Sequence, residues 1–228
     1  PCRGLGSRAL RQASAESVHQ TDSAFRGVQM LKIYHTPGSR SVRPIWLCFE
    51  LDIPAQIKRV DASYRGTPEW RAISPTGKVP AIEDGDTTIC ESGAILDYLL
   101  ARYGEGRLQP AIGSPQWAEY RQWFWFAEAT LIRPVGLYRL LRARKDTIDD
   151  LVDEAESKFR EGLNAVASAL NDSDYLLGDR FSAADIMMGY SIAITEQLLG
   201  TDYPALVDYL GRLKERDAFK RVAALEKN

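Results

Sequence analysis

The sequence contains few of the residues from which metal sites and disulfide frameworks are built. Its 228 residues include three cysteines and two histidines. Cys2, Cys48 and Cys90 form no Cys-x-x-Cys pair, and no cysteine and histidine stand at metal-ligand spacing. We therefore predict neither a metal site nor a disulfide framework. Cys48 lies in an apolar helical pattern and Cys90 ends a strand pattern, so both are predicted to be small buried side chains rather than nucleophiles.

Long apolar runs and long basic runs are also missing. No segment reaches the roughly 18 consecutive apolar residues of a membrane-spanning helix, and the first residues lack the apolar stretch of a secretory signal. The formal net charge of -2 argues against nucleic acid as the main partner. The sequence therefore predicts a cytoplasmic protein that has no membrane or nucleic-acid partner.

Composition and periodicity divide the chain into four segments. Residues 1–29 are polar and show no apolar period, so they are predicted to be a disordered leader or extension. A cloning remnant, an over-extended start and an organelle transit peptide are the alternatives. Residues 30–104 mix strand and helix patterns, and residues 105–116 form a polar linker with Gly and Pro. Residues 117–228 keep a helical period throughout.

The segment 30–104 opens with a strand, a helix and a second strand. The strands are predicted over Leu31–His35 and Gln56–Val60, and because a helix joins them they are expected to be parallel. Ser41 is predicted to be the N-cap of that helix, whose apolar stripe follows at helical spacing. The stripe consists of Val42, Ile45, Trp46 and Phe49. A short helical segment over Pro68–Ile73 comes next.

A hairpin and a helix start then follow in immediate succession. Strands are predicted over Val79–Ile82 and Thr87–Cys90, with a turn at Asp84-Gly85-Asp86 between them. Ser92 is predicted to be the N-cap of a helix that ends near Gly104. Because a helix N-terminus favours an anion, this stretch suits a peptide-sized anionic ligand. The main chain of Val79 would hold such a ligand at its other end if the Val79-Pro80 bond is cis.

The last segment is predicted to be entirely helical. A first helix carries an apolar stripe from Trp117 to Val135, and Pro134 should kink it or end its regular part. A second helix is predicted over Ile148–Leu170. The span Phe181–Leu199 is apolar almost all round, which indicates a central buried helix, and Ser182 to Asp185 forms a capping box at its start. Two shorter helices close the chain.

Four motifs occur in a fixed order: Ser39-Arg40-Ser41, Gly77-Lys78-Val79-Pro80, Glu91-Ser92 and the capping box at Ser182. With these motifs, the chain from Met30 onward resembles the soluble glutathione transferases. The run from Pro37 to Arg43, with Trp46 after it, looks most like bacterial or fungal members that have a serine at the catalytic position. The resemblance implies a thioredoxin-like βαβαββα domain followed by an all-helical domain, usually in a homodimer.

The resemblance also implies roles for individual residues around glutathione as co-substrate. Val79, before a cis Pro80, would pair its main chain with the cysteinyl part. Glu91 and Ser92 would hold the γ-glutamyl end, and Lys78 would contact the glycine carboxylate. No metal is implied. The expected activity is conjugation of glutathione to a hydrophobic electrophile, with peroxide reduction as a side activity.

A hydroxyl at a helix start is chemically suited to this reaction. A thiol with a pKa near 8.5 is only a few per cent thiolate at neutral pH, and the thiolate is the nucleophile. A hydroxyl donor, free helix amides and a nearby guanidinium all stabilise that anion. Ser39, Ser41 and Arg40 stand in this position. Ser39 is preferred because Ser41 is explained by the cap, and Ser41 remains the alternative.

Aromatic residues of the helical segment are the expected lining of a hydrophobic substrate pocket. These residues are Tyr120, Phe124, Trp125 and Tyr138. They specify an apolar cavity but not its occupant. Two other functions fit the same motifs: a non-catalytic binding or interaction protein of this fold, and a glutathione-dependent isomerase or lyase.

Overall fold

The computed structural model describes residues 30–144, 146, 148–199 and 201–227. The prediction for residues 1–29 and that for Cys2 lie outside the described residues. The N-terminal unit contains β1 (Leu31–His35), α1 (Val42–Leu51), β2 (Ala55–Arg59), α2 (Ala62–Arg65), α3 (Pro68–Ile73), β3 (Ala81–Asp84), β4 (Thr87–Cys90) and α4 (Ser92–Tyr103). The helical unit contains α5 (Pro115–Phe126), a π-helical segment (Ala127–Leu131), α6 (Ile132–Arg142), α7 (Asp149–Ala169), α8 (Ala183–Ala193), α9 (Glu196–Leu199), α10 (Pro204–Glu215) and α11 (Asp217–Glu226).

The four strands form one mixed sheet in the order β2-β1-β3-β4. β1 runs parallel to β2, and β3 runs antiparallel to both β1 and β4. An isoleucine of each strand lies in one row across the sheet, in the order Ile57, Ile33, Ile82, Ile89. This row gives the sheet an apolar face for the helices. The predicted thioredoxin-like domain followed by a helical domain is thus confirmed.

The hairpin has the predicted turn, but its first strand begins two residues later than expected. β3 starts at Ala81, after Pro80, which has no amide hydrogen to donate to a ladder. Asp84 pairs with Thr87 as a strand residue, so that Gly85 and Asp86 alone make the turn. Gly85 has a φ of 59°, a left-handed conformation that a residue without a Cβ adopts readily.

Of the two predicted N-caps, Ser41 occupies the N-cap position without a capping hydrogen bond, and Ser92 is not at the N-cap position. Ser41 stands at the start of α1, but its hydroxyl makes no capping hydrogen bond there. Instead, Ser41 Oγ lies 2.8 Å from His35 Nδ1. Glu91, with a φ of 69°, precedes α4, so Ser92 is already a helical residue. The Ser92 hydroxyl accepts a hydrogen bond from Arg43 at 2.9 Å. In both places a buried tertiary partner replaces the local cap.

The first long helix of the helical unit is interrupted before Pro134 rather than at it. α5 passes into the π-helical segment at Ala127 and resumes as α6 at Ile132. A proline at position 134 cannot donate to the carbonyl of Thr130, four residues earlier, so the regular ladder fails in that turn. This irregular turn carries Glu128, which faces the N-terminal unit, where it pairs with Arg40 and Arg43.

The centre of the molecule is α8, whose residues are buried from Ala183 to Ile192. The predicted capping box is confirmed: Ser182 and Asp185 exchange hydrogen bonds at its start. α8 ends at Ala193, earlier than the apolar span that predicted it. Gly189 lets α8 approach α1, because a Cβ there would lie 3.0 Å from the Trp46 ring. No helix in the described part of the chain is long and apolar enough to cross a membrane.

Candidate active site

The loop between β1 and α1 carries a compact group of hydroxyls. Ser39 Oγ donates to the carbonyl of Thr36 at 2.6 Å and lies 2.6 Å from Ser41 Oγ. The amide of Thr36 donates to Ser41 Oγ at 3.3 Å. Ser41 is fully buried, whereas Ser39 is half-buried. Of the two serines, Ser39 is therefore the one with exposed surface.

A cleft of about 130 Å³ lies beside this loop, between the sheet and the π-helical segment. Its lining brings together six of the residues predicted from the sequence: Arg40, Lys78, Val79, Pro80, Glu91 and Ser92. Thr76, Cys90 and Glu128 complete it. The Val79-Pro80 bond is cis, as the ligand hypothesis required. Ser39 and Ser41 are not part of this lining and adjoin it through Arg40.

A buried guanidinium, that of Arg43, organises the inner end of the cleft. Arg43 is completely buried and pairs with the carboxylate of Glu128. It also donates to the hydroxyls of Ser92 at 2.9 Å and Ser191 at 3.0 Å. Burial lowers the pKa of Arg43 from its ordinary value, and the charge of Glu128 opposes that effect. Because two of its partners line the cleft, Arg43 fixes them in place from behind.

Glu128 carries a second ion pair, to the cleft residue Arg40. Arg40 Nε lies 2.9 Å from Glu128 Oε1. The cleft therefore contains two basic side chains, Arg40 and Lys78, and two acidic ones, Glu91 and Glu128. Sequence reasoning missed Arg43 as a site residue. A signal for Arg43 was present, since a charged residue within the apolar pattern of α1 must find a partner when buried.

The loop is also held by the far end of the chain, which the sequence did not indicate. The amide of Gly38 donates to Glu226 Oε2 at 2.5 Å, and the Tyr190 hydroxyl donates to the Gly38 carbonyl at 3.0 Å. His35 is 2% exposed, and its Nε2 lies 3.1 Å from Glu226 Oε1. Both α8 and α11 thus define the conformation of the loop that carries Ser39.

The four aromatic residues predicted to line a substrate pocket do not form one wall. Tyr120 and Phe124 have no exposed surface, so they are core residues in this structure rather than the lining of an open pocket. Tyr138 packs edge-on against Phe159, with ring centroids 4.9 Å apart. Trp125 alone keeps a large exposed surface, 40%, and it packs over Gly93 at the start of α4. Helical periodicity predicted which face of the helix is buried, but it did not distinguish core residues from residues that line a cavity.

The two described cysteines differ in their surroundings. Cys48 is 2% exposed, and burial raises the pKa of its thiol to about 12, in keeping with a packed, unreactive side chain. Cys90 is half-buried and lines the cleft, where its thiol donates to the carbonyl of Ile73 at 3.4 Å. Burial also raises the pKa of Cys90. Among the described residues, no group of three or more histidines, cysteines or carboxylates could hold a metal ion.

The fold defines the class of proteins in which a thioredoxin-like sheet is joined to a helical unit, here with a small mixed-charge cleft at the junction of the two. Comparison with known proteins identifies the family. Residues 33–107 match the model of the glutathione S-transferase N-terminal domain, and residues 149–212 match that of the C-terminal domain. The chain belongs to the glutathione S-transferase family and is an enzyme of that family.

Individual relatives agree with this assignment. Glutathione S-transferase 4 of Zea mays is 34% identical over 161 residues, which cover 68% of this chain and 69% of that protein. Glutathione S-transferase 3 of Schizosaccharomyces pombe is 29% identical over 179 residues, or 72% of this chain and 73% of that protein. A Sulfitobacter glutathione transferase homologue, solved with bound glutathione, is 25% identical with a TM-score of 0.73 and covers 86% of this chain and 98% of its own.

Proposed function

We propose that this enzyme transfers the glutathione thiolate to an electrophilic carbon of a hydrophobic substrate, and that Ser39 donates a hydrogen bond to the sulfur. The observation that carries the proposal is the position of the half-buried Ser39 in the loop just before α1, next to the cleft residue Arg40. In the reaction a sulfur lone pair forms the S–C bond, and the leaving group departs with the bonding electrons. Each tenfold rise in thiolate fraction corresponds to about 1.4 kcal/mol of preferential stabilisation.

The charges of the cleft fit the three parts of glutathione. Glutathione has a carboxylate at each end and an amine beside one of them. Lys78 is exposed at the rim and suits the glycine carboxylate. Ser92 opens α4, whose free amides favour the γ-glutamyl carboxylate, and Glu91 suits the neighbouring amine. The main chain of Val79 would pair with the cysteinyl part, which brings the sulfur toward the β1–α1 loop.

Several contacts favour Ser39 over Ser41 as the hydroxyl that reaches the sulfur. Ser41 has no exposed surface, and its hydroxyl is already engaged by His35 and by the Thr36 amide. Within the described residues, the hydrogen bonds of the Ser39 hydroxyl are made to the Thr36 carbonyl and to Ser41 alone. A ligand sulfur can replace the Thr36 carbonyl as the acceptor. We therefore assign the thiol-activating role to Ser39 and a supporting role to Ser41, in a member with a serine at the catalytic position.

We also propose that the second substrate is hydrophobic and that the enzyme is a homodimer. Trp125 supports an apolar binding surface, because it is exposed and lies over Gly93, next to the cleft residue Ser92. Trp125→Ala should then raise KM for an aromatic electrophile and leave that for glutathione unchanged. If the Trp125→Ala variant elutes at a different volume from the wild type in size-exclusion chromatography, Trp125 belongs to the subunit interface of a homodimer instead.

We further propose a cytoplasmic location, which fractionation of cells would test.

The activity can be tested with immobilised glutathione and a chlorodinitrobenzene assay. We expect the protein to be retained on the column and to conjugate the electrophile. Ser39→Ala should lose most of the turnover while it keeps its glutathione affinity, and Ser168→Ala, an exposed serine of α7, is the control. An unchanged rate in Ser39→Ala would move the role to Ser41 or to backbone amides. Binding without conjugation would favour the non-catalytic binding protein. Isomerase and peroxide-reduction assays would then show whether the protein has a different glutathione-dependent activity.

A further inference from the structure

A continuous line of polar contacts joins the last helix to Ser39. Glu226 Oε1, in the last turn of α11, lies 3.1 Å from His35 Nε2. On the other side of the ring, His35 Nδ1 lies 2.8 Å from Ser41 Oγ. Ser41 Oγ in turn lies 2.6 Å from Ser39 Oγ. Each neighbouring pair is within hydrogen-bond distance, so the four side chains form a single relay, here called the Glu226 relay.

The inner members of the Glu226 relay depend on one another. His35 is 2% exposed and Ser41 has no exposed surface. Within the described residues, His35 Nε2 and Glu226 Oε1 are buried atoms that lie 3.1 Å apart, and neither has a hydrogen-bond partner elsewhere or a well-aligned hydrogen bond to the other. Buried polar atoms are almost always paired, because an unpaired one loses its hydration without compensation. At 3.1 Å, each of these two atoms is therefore the one placed to pair with the other.

The other carboxylate oxygen of Glu226 reaches the same loop by a second route. Glu226 Oε2 accepts a hydrogen bond from the Gly38 amide at 2.5 Å, one residue before Ser39. Glu226 does not line the cleft. One carboxylate thus holds the main chain of the loop and, through His35, its hydroxyls, without being placed to touch glutathione.

We propose that Glu226 is a positioning residue for the Ser39 hydroxyl and that it acts through His35 and Ser41. This inference rests on the proposed function, in which Ser39 donates to the glutathione sulfur. A carboxylate only accepts hydrogen bonds, so Nε2 must carry a proton where it faces Glu226. When Nδ1 carries a proton as well, His35 donates to Ser41, and Ser41 donates to Ser39. The Ser39 proton is then free to point at the sulfur, because the Ser39 oxygen already accepts from its neighbours.

The charge of Glu226 matters in this arrangement because it would complement the charge of a ring that carries protons on both nitrogens. A charge-assisted hydrogen bond is roughly twice as strong as a neutral one. Without that charge, a singly protonated ring with its hydrogen on Nε2 accepts a hydrogen bond from the Ser41 hydroxyl at Nδ1. The two serine hydroxyls then point inward, and Ser39 loses the donor that frees its own proton. Removal of the charge should therefore reduce thiolate stabilisation rather than glutathione binding.

The test uses the full chain and the ultraviolet absorbance of bound glutathione thiolate as a function of pH. Glu226→Gln keeps the side-chain volume and an oxygen for the Gly38 amide but removes the charge. Glu215→Gln is the matched control, because Glu215 is exposed and pairs with Lys220 away from the loop. We expect Glu226→Gln to lower the thiolate fraction at neutral pH about three- to tenfold. The dissociation constant for glutathione should stay within about twofold, and Glu215→Gln should behave as the wild type. Circular dichroism confirms that each variant is folded.

The double variant separates this inference from the proposed function. In a Ser39→Ala background, Glu226→Gln should produce no further loss of thiolate, because the relay ends at the missing hydroxyl. An equal loss in both backgrounds would overturn the relay. An unchanged thiolate fraction in Glu226→Gln, together with a loss in Ser39→Ala, would also overturn it and leave the proposed function standing. If Ser39→Ala itself retains the thiolate, the proposed role of Ser39 fails, and the relay with it.

Discussion

Arg43 and Glu128 form an ion pair between α1 and the π-helical segment that links the two units of the molecule at the cleft. Arg43 is fully buried, whereas the side chain of Glu128 is 25% exposed. Arg40 approaches the same carboxylate from the cleft side. One acidic residue of the helical unit is thus shared by two arginines of the N-terminal unit. The cleft residues Arg40 and Glu128 therefore meet at the junction of the two units.

Arg43→Met is expected both to destabilise the protein and to loosen the side chains that Arg43 holds at the cleft. Methionine fills a similar volume but leaves the hydroxyls of Ser92 and Ser191 without their donor, and Glu128 without its inner partner. We expect a loss of about 2–4 kcal/mol in the free energy of unfolding, measured by urea denaturation. Arg139→Met, on the exposed face of α6, is the control. Equal stabilities of the two variants would contradict a structural role for the buried pair.

Gly189→Ala tests the close approach of α8 to its neighbours. A Cβ at this position would lie 2.7 Å from Leu213 Cδ1 and 3.0 Å from the Trp46 ring, and all three residues are packed. We expect a cost of about 1–3 kcal/mol from overpacking. Gly136→Ala is the matched control in α6, where nothing lies within 4 Å of the new Cβ, and it should stabilise the helix by about 0.5–1 kcal/mol. Thermal melts of both variants should therefore shift in opposite directions.

Lys78→Met tests the proposed contact with the glycine carboxylate of glutathione. Lys78 is exposed at the cleft, so its charge is expected to contribute modestly and to be screened by salt. We expect the dissociation constant for glutathione to rise about three- to tenfold at low ionic strength, with a smaller difference from wild type in high salt. Lys58→Met removes the same charge from the exposed side of β2 and serves as the control. Calorimetric titration that finds both variants alike would assign the carboxylate to another residue.

The carboxylate of Glu226 should make stability depend on pH on the acidic side. Burial raises its pKa, but the hydrogen bonds from His35 and the Gly38 amide outweigh that effect and hold the pKa below its ordinary value. A lowered pKa in the folded state means that the contribution to stability is present above about pH 4.3, the ordinary value for Glu, and is lost as the pH falls through the folded-state value.

The difference in melting temperature between wild type and Glu226→Gln should therefore be largest at neutral pH and should shrink on acidification. Glu215→Gln provides the reference for loss of an exposed carboxylate. Melting curves collected from neutral pH down to below about pH 4 measure both differences. A difference that grows toward acid pH would show that the contacts of Glu226 with His35 and Gly38 do not stabilise the carboxylate.

Local sequence signals were sufficient to predict most of the strands and helices and most of the residues that line the cleft. Gly85 predicted the hairpin turn because few other residues adopt its conformation, and Ser182 with Asp185 predicted the start of α8. Pro80 limited the start of β3 for a similar reason, since it cannot donate to a strand. The motifs around Lys78 and Glu91 converge on the cleft because the hairpin brings them together over a short stretch of chain.

What the sequence by itself determined was the order of strands and helices and the faces they bury, since these follow from periodicity, capping and turn chemistry within a few residues. Only the tertiary structure decided that Ser41 contacts His35 instead of capping α1, and that Tyr120 lies in the core. It alone brought Glu226 to the Gly38 amide, 188 positions away along the chain. The physical reason is that a side chain's hydrogen-bond partner and its access to solvent depend on which elements pack together, and local sequence does not contain that information.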